Sequence, residues 1–141
     1  MELQVNCPIS PESYNRLRKS VGWRVIEERQ ARAGLQNARY LITARIDGET
    51  VGMVRVIGDG GYLFYIADVI VLPPFQGRGV GRAMMNRAMS LIRNSLEEGQ
   101  CAFVNLMANQ DKENFYRHFG FEIRPDSQRE LGAGMTQWIV K

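Results

Sequence analysis

VLPPFQGRGVGRAM, residues 71–84, carries an apolar run through two prolines and into a helix by way of three alternating glycines flanked by arginines. Glycine costs roughly 1 kcal/mol against alanine inside a helix, so Gly77, Gly79 and Gly81 at a helix start imply that the backbone there must approach something closely. Successive unobstructed N–H groups at a helix N-terminus make an anion cradle, strengthened by the helix dipole. Two phosphate-loop templates fail. The GxxxxGK[ST] loop lacks its Lys-Ser/Thr, and a dinucleotide GxGxxG started at Gly77 or Gly79 meets Arg82 or Met84 where it needs glycine. What remains is Gln76-Gly77-Arg78-Gly79-Val80-Gly81, a Q/R-x-x-G-x-G/A pattern, with Arg78 and Arg82 able to supply charge to further phosphates. A loop without ligand is the competing reading, but a linker would not run directly into an amphipathic helix.

Upstream, the run YLFYIADVIVL (62–72) reads as the longest strand. RYLITARI (39–46) and TVGMVRVI (50–57) are β-rich and joined by Asp47-Gly48, a strong hairpin signal. A short strand is expected at 3–7. Ser10-Pro11 should start a helix that runs to about Ser20, and a second helix should cover 24–35. Downstream, 79–97 is predicted helical, with Val80, Met84, Ala88, Leu91 and Ser95/Leu96 on the sheet-facing stripe and Gly99 as its stop. CAFVNLMA (101–108) reads as a buried strand, 109–119 as a short helix, FEIR (121–124) as a strand and MTQWIV (135–140) as the last one. Strand–helix–strand between 62 and 108 is a crossover unit, so those strands should be parallel neighbours. The fold class is α+β: a mixed, mostly antiparallel central sheet with one parallel pair and helices on both faces.

The chain has 141 residues, which suits a single domain over 1–141 with a hydrophobic core of its own. A net charge of +3 and a pI near 9.1 fit mild attraction to phosphate. No Lys/Arg block is long enough to suggest nucleic acid, so no nucleic-acid partner is expected. Arg16, Arg18, Lys19, Arg24, Arg29 and Arg32 read as a solvated helical surface. Cys7 and Cys101 lack CxxC spacing and His118 is the sole histidine, so no metal is expected. The start MELQVNCPISPES lacks the pattern of a signal peptide and no run could span a bilayer, so the expectations are a cytoplasmic protein and no membrane partner.

VIVLPPFQGRGVGRAM (69–84), followed by NQDKENFYRHFGF (109–121), resembles the GNAT family of N-acetyltransferases. In that family the first segment holds the pyrophosphate of acetyl-CoA, and the second is an N-x-x-x-x-x-F-Y-x-x-x-G-F element. The resemblance covers 62–124 and implies acetyl-CoA as co-substrate and an amine acceptor. It further implies that the parallel pair splays, with the pantetheine arm lying along Val69, Ile70 and Val71. Residues 76–82 would bind pyrophosphate through main chain. Asn109 would hydrogen-bond the pantetheine arm, N-cap its helix, or do both. Tyr116 would bind beside the sulfur and act as general acid on the leaving thiolate; a core tyrosine beside Phe115 and Phe119 is the alternative.

The base is less defined. The strand glutamate used by some members is replaced by Val104. Asp68, by alternation on a face with Phe64, Ile66 and Ile70, is a candidate base or amine anchor. It could equally be a structural ion-pair partner for a nearby arginine such as Arg55, and a water chain as the base is a third alternative. His118 is expected at the surface. Neither cysteine lies in a matched motif, so direct transfer is expected over a covalent enzyme intermediate. The same transfer with another short acyl group and a non-catalytic acyl-CoA sensor are the alternatives to acetyl transfer; nucleotide binding is disfavoured by the failed templates. The loop between the first two helices and 125–134 should line the acceptor entrance. MTQWIVK could pair across a homodimer.

Overall fold

The computed structural model describes residues 1–124. The chain divides into two compact units, 1–106 and 107–141, each described by itself. The first contains strands β1 (Glu2–Val5), β2 (Tyr40–Ile46), β3 (Glu49–Gly58), β4 (Leu63–Val71) and β5 (Phe103–Leu106). Its helices are α1 (Pro11–Ser20), α2 (Glu28–Gln36) and α3 (Val80–Asn94), with a 3-10 turn at Pro73–Phe75. The sheet order is β1-β2-β3-β4-β5, antiparallel throughout except for the parallel β4–β5 pair that α3 connects. This is the mixed α+β sheet expected from the sequence. Asp47 and Gly48 both carry positive φ, 50° and 80°, as a type I′ hairpin turn requires.

Side-chain contacts identify the two faces. A Cβ on Gly52 would meet Met84 of α3, so the even-numbered positions of β3 from 52 onward, beyond the extra residue at Val51, face α3. Arg55 reaches the Gly34 carbonyl of α2, so the odd-numbered positions face α1 and α2. The α3 stripe that enters the core is Val80, Met84, Met85, Ala88, Met89 and Ile92. Leu91, expected in that stripe, is only half-buried, because the helix turns Ile92 inward instead.

Capping sets the helix starts. Ser10 accepts the Ser13 N–H at 3.1 Å and Pro11 opens α1, as expected. Ser10→Ala should lower stability by about 1 kcal/mol, read as a shifted urea midpoint with unchanged slope. Helix α2 starts four residues later than expected because α1 claims the preceding backbone. Asn15 bonds both the carbonyl and the N–H of Ile26 (2.7 and 2.9 Å), and Arg18 Nε donates to the Arg24 carbonyl. Glu27 then caps α2 through the Gln30 N–H, and hydrogen bonds from the Arg29 and Gln30 backbone hold its carboxyl below the usual range.

Three further expectations change. Helix α3 ends at Asn94, where the Ser95 hydroxyl turns back to the Ile92 carbonyl; Gly99 lies in the loop beyond. Strand β5 is shorter than expected and is not buried: Phe103 is 50% exposed, as suits a strand paired on one side among the described residues. Residues 121–124 form no strand, and 135–140 lie outside the described residues. Among the described residues, no helix is long and apolar enough to cross a membrane.

Candidate active site

The central feature is an irregularity in β4. Arg55 of β3 pairs with Ala67, but Met53 pairs with Ile70, leaving Val54 opposite both Asp68 and Val69. This is a β-bulge, and Asp68 sits in it with a left-handed φ of 51°. The extra residue reverses every alternation downstream. Ile66 lies opposite Val56 while Ile70 lies opposite Met53, positions of unlike parity on β3. Ile66 therefore faces α3 while Asp68 and Ile70 face α1 and α2; strict alternation fails because the strand gains a residue.

The same reversal re-aims the main chain. Before the bulge, the Tyr62 carbonyl accepts from Phe103 N–H, so even-numbered residues point their backbone groups toward β5. After it, Leu72 N–H donates to the Val51 carbonyl, so even-numbered residues point toward β3. Val69 and Val71 consequently aim at the opposite edge. There the β4–β5 ladder has already ended at Ile66↔Leu106, and no strand pairs with that edge among the described residues. Gln76 Nε2 takes the Val71 carbonyl at 2.8 Å and pins the glycine loop to the strand end. The Gln76 side chain is thus a latch on β4.

The glycine loop follows directly. Gly77 and Gly79 have φ of 71° and 83°, and Gly79 is the α3 N-cap with no side-chain cap bond. Gly81 lies in the first turn of α3. A Cβ at Gly77 or Gly79 would meet no protein atom within 4 Å, so the glycines are set by backbone conformation and by the space above them. The first helical bond is Ala83 N–H to the Gly79 carbonyl; among the described residues the N–H groups of 77–82 have no acceptor in the chain. Arg78 and Arg82 are exposed, with the Arg78 guanidinium 5.6 Å from the Phe75 ring centroid. Main-chain donors and two cations around open space suit a diphosphate.

Asp68 is a buried hub, its side chain 7% exposed. Oδ1 accepts from Arg18 Nη1 at 2.7 Å, and Oδ2 from Arg55 Nε at 2.7 Å and the Tyr14 hydroxyl at 3.0 Å. The ion pair with Arg55 is therefore present, joined by one with Arg18. Burial, reinforced by the Asp68 charge, raises the Tyr14 pKa and keeps its phenol a donor; burial and the same charge raise Tyr65. Arg18 corrects the reading of the first helix as a wholly solvated basic surface. It is 7% exposed and its guanidinium lies 5.4 Å from both the Tyr14 and the Trp23 ring centroids. The spacing of Tyr14 and Arg18, one helical turn apart beside inward Leu17, is the signal that could have found it.

In the second unit, α4 spans Glu113–Arg117. Asn109 is not its N-cap: the helix starts after Lys112, whose N–H donates to the Asn109 carbonyl in a preceding turn. Asn109 is exposed. Tyr116 is half-buried, edge-on to Phe115 (5.0 Å between centroids) and Phe121 (6.3 Å). His118 is at the surface, as expected, with Nδ1 2.7 Å from the Asn114 carbonyl. Val104 lies in β5 opposite Phe64. Residues 125–134, expected at the acceptor entrance, lie outside the described residues.

A bulged fourth strand with an open edge thus runs, on a mixed sheet, into a helix N-terminus with no side-chain cap. Residues 36–123 match the family model described as the acetyltransferase (GNAT) domain, and the chain belongs to that family, which uses acetyl-CoA as co-substrate. It is 30% identical over 116 residues to the uncharacterized N-acetyltransferase ycf52 of Porphyra purpurea, a match covering 79% of this chain and 64% of that relative. Among solved structures, it is similar to a probable acetyltransferase of methicillin-resistant Staphylococcus aureus (TM-score 0.80, 30% identity, 97% of this chain and 100% of that one). A GNAT-family acetyltransferase of Streptococcus pneumoniae gives a TM-score of 0.77 at 28% identity, covering 99% of this chain and 98% of that one.

Proposed function

We propose that residues 1–141 form one catalytic domain, an N-acetyltransferase that moves acetyl from acetyl-CoA to a primary amine of a small molecule or peptide by direct attack on the thioester. The observation that carries this reading is the run of N–H groups from Gly77 to Arg82 without acceptors in the chain, beginning where the free edge of β4 ends. In this assignment those groups and the Arg78 and Arg82 side chains bind the diphosphate. The backbone of Val69, Ile70 and Val71 receives the pantetheine arm, and Asn109 is assigned a hydrogen bond to that arm. A main-chain donor on β4 aimed at the thioester carbonyl would stabilise the developing oxyanion, worth about 3–4 kcal/mol. Tyr116 protonates the departing thiolate. The acceptor ammonium must lose a proton before attack, and water takes that proton, since both Asp68 oxygens are already engaged by Arg18, Arg55 and Tyr14. Cytoplasmic location and a homodimer remain parts of this proposal.

The test is thiol release from acetyl-CoA with a panel of primary amines, paired with calorimetry of coenzyme A. Binding with amine-dependent release is expected. Binding without release under every acceptor would make the protein an acyl-CoA sensor, a reading that the missing strand carboxylate at Val104 favours. No association with coenzyme A at millimolar concentration would reject both.

A further inference from the structure

We propose that Asp68 is a positioning residue: paired to Arg18 and Arg55, it holds the β4 bulge in the left-handed conformation that aims the Val69 and Val71 N–H groups at the acyl donor. The inference rests on the acyl-transfer reading above and adds to it the device that builds the oxyanion donor. A non-glycine residue at φ 51° inside a strand is uncommon and persists where its surroundings over-determine it. Here the surroundings can be named. The Asp68 carboxylate is held from α1 by Arg18 and Tyr14, and from β3 by Arg55, which pairs with Ala67 immediately before the bulge. Each handle is itself fixed: Arg18 Nε by the Arg24 carbonyl, Arg55 Nη1 by the Gly34 carbonyl. The carboxylate therefore ties the extra residue to a helix on one side and to the neighbouring strand on the other.

Removing that residue's conformation undoes the reversal. With Asp68 back in extended geometry, the backbone groups of Val69 and Val71 would turn toward β3, and those of Ile70 toward the open edge. The donor pattern facing the thioester would shift by one residue. The diphosphate cradle, which begins beyond Gln76, would not be touched. The two ion pairs thus bear on the chemical step and the adjoining pantetheine contacts, and not on the diphosphate.

The experiment compares Asp68→Ala with Asp68→Gly in the full chain, reading kcat, the KM for acetyl-CoA and the calorimetric Kd for coenzyme A. Both variants lose the carboxylate and leave the same arginines, but only glycine adopts φ near 51° freely. Asp68→Ala should lower kcat about 100-fold, the scale of losing one oxyanion donor, with Asp68→Gly recovering about tenfold of it. The Kd for coenzyme A should rise less than kcat falls, by no more than about tenfold, since the diphosphate donors are unchanged and only the pantetheine contacts to residues 69–71 shift. Equal kcat in the two variants overturns the proposal. Should both fail to fold by circular dichroism, Arg18→Met decides, because it leaves Asp68 paired with Arg55. It should lower kcat about tenfold through loss of one charged hydrogen bond, and wild-type kcat there overturns the clamp. A wild-type protein that binds coenzyme A without turnover is read by the ratio of acetyl-CoA to coenzyme A affinity, with the same ranking expected. Failure of the wild type to bind coenzyme A rejects the acyl-transfer reading; binding with an indifferent Asp68 rejects this inference alone.

Discussion

Tyr116→Phe should slow acetyl transfer by about 10²–10⁴ while leaving the fold and coenzyme A binding in place. Phenylalanine keeps the ring that meets Phe115 and Phe121 edge-on, so the aromatic packing of the second unit survives the change. The change removes the phenolic hydroxyl and with it the proton to be transferred. Moving that proton to a thiolate is uphill by about 2 kcal/mol in water, from ordinary pKa values near 10 and 8.5. Desolvating the thiolate raises its proton affinity and closes the gap. Single-turnover kinetics with saturating acetyl-CoA should therefore show a slowed chemical step and an unchanged Kd. Wild-type turnover in a folded Tyr116→Phe protein would leave the core-tyrosine role as the only one.

Gly79→Val should have the opposite signature, weakening coenzyme A binding about 10–100-fold, the loss of one or two charge-assisted hydrogen bonds. Gly79 combines φ 83° with the α3 N-cap position. A β-branched residue resists that conformation, and escaping it re-aims the N–H groups that follow. No protein atom lies within 4 Å of the added Cβ, so the strain is confined to the loop backbone, and its relief displaces the cradle N–H groups. Calorimetry of coenzyme A against 3′-dephospho-coenzyme A would locate it: a loss common to both belongs to the diphosphate. An unchanged Kd would remove the cradle assignment.

How much of this was readable in advance depends on the range of the interaction. The Asp47-Gly48 turn, the Ser10-Pro11 helix start and the glycine loop are local: each follows from the conformations open to a few adjacent residues. The parallel β4–β5 pair also followed, because a strand–helix–strand segment of that length closes in one hand. By contrast, the late start of α2 comes from Asn15 and Arg18 of another helix seizing its backbone groups. The short turn before α4 displaced Asn109 from the cap that its residue type had suggested.

Asp68 marks the boundary most sharply. Alternation placed it on an apolar face, where a carboxylate is costly, and so raised both an ion pair and a catalytic role. Which arginines reach it depends on residues fifty positions upstream in α1 and thirteen upstream in β3. By itself the chain's order of residues determined the α+β class, the crossover and the donor-rich loop, because hydrophobic period and glycine conformation act over a few neighbours. Tertiary structure alone decided the bulge, the burial of Arg18 and the edge toward which Val69 and Val71 point, because pairing register and ion pairs join segments far apart in the chain.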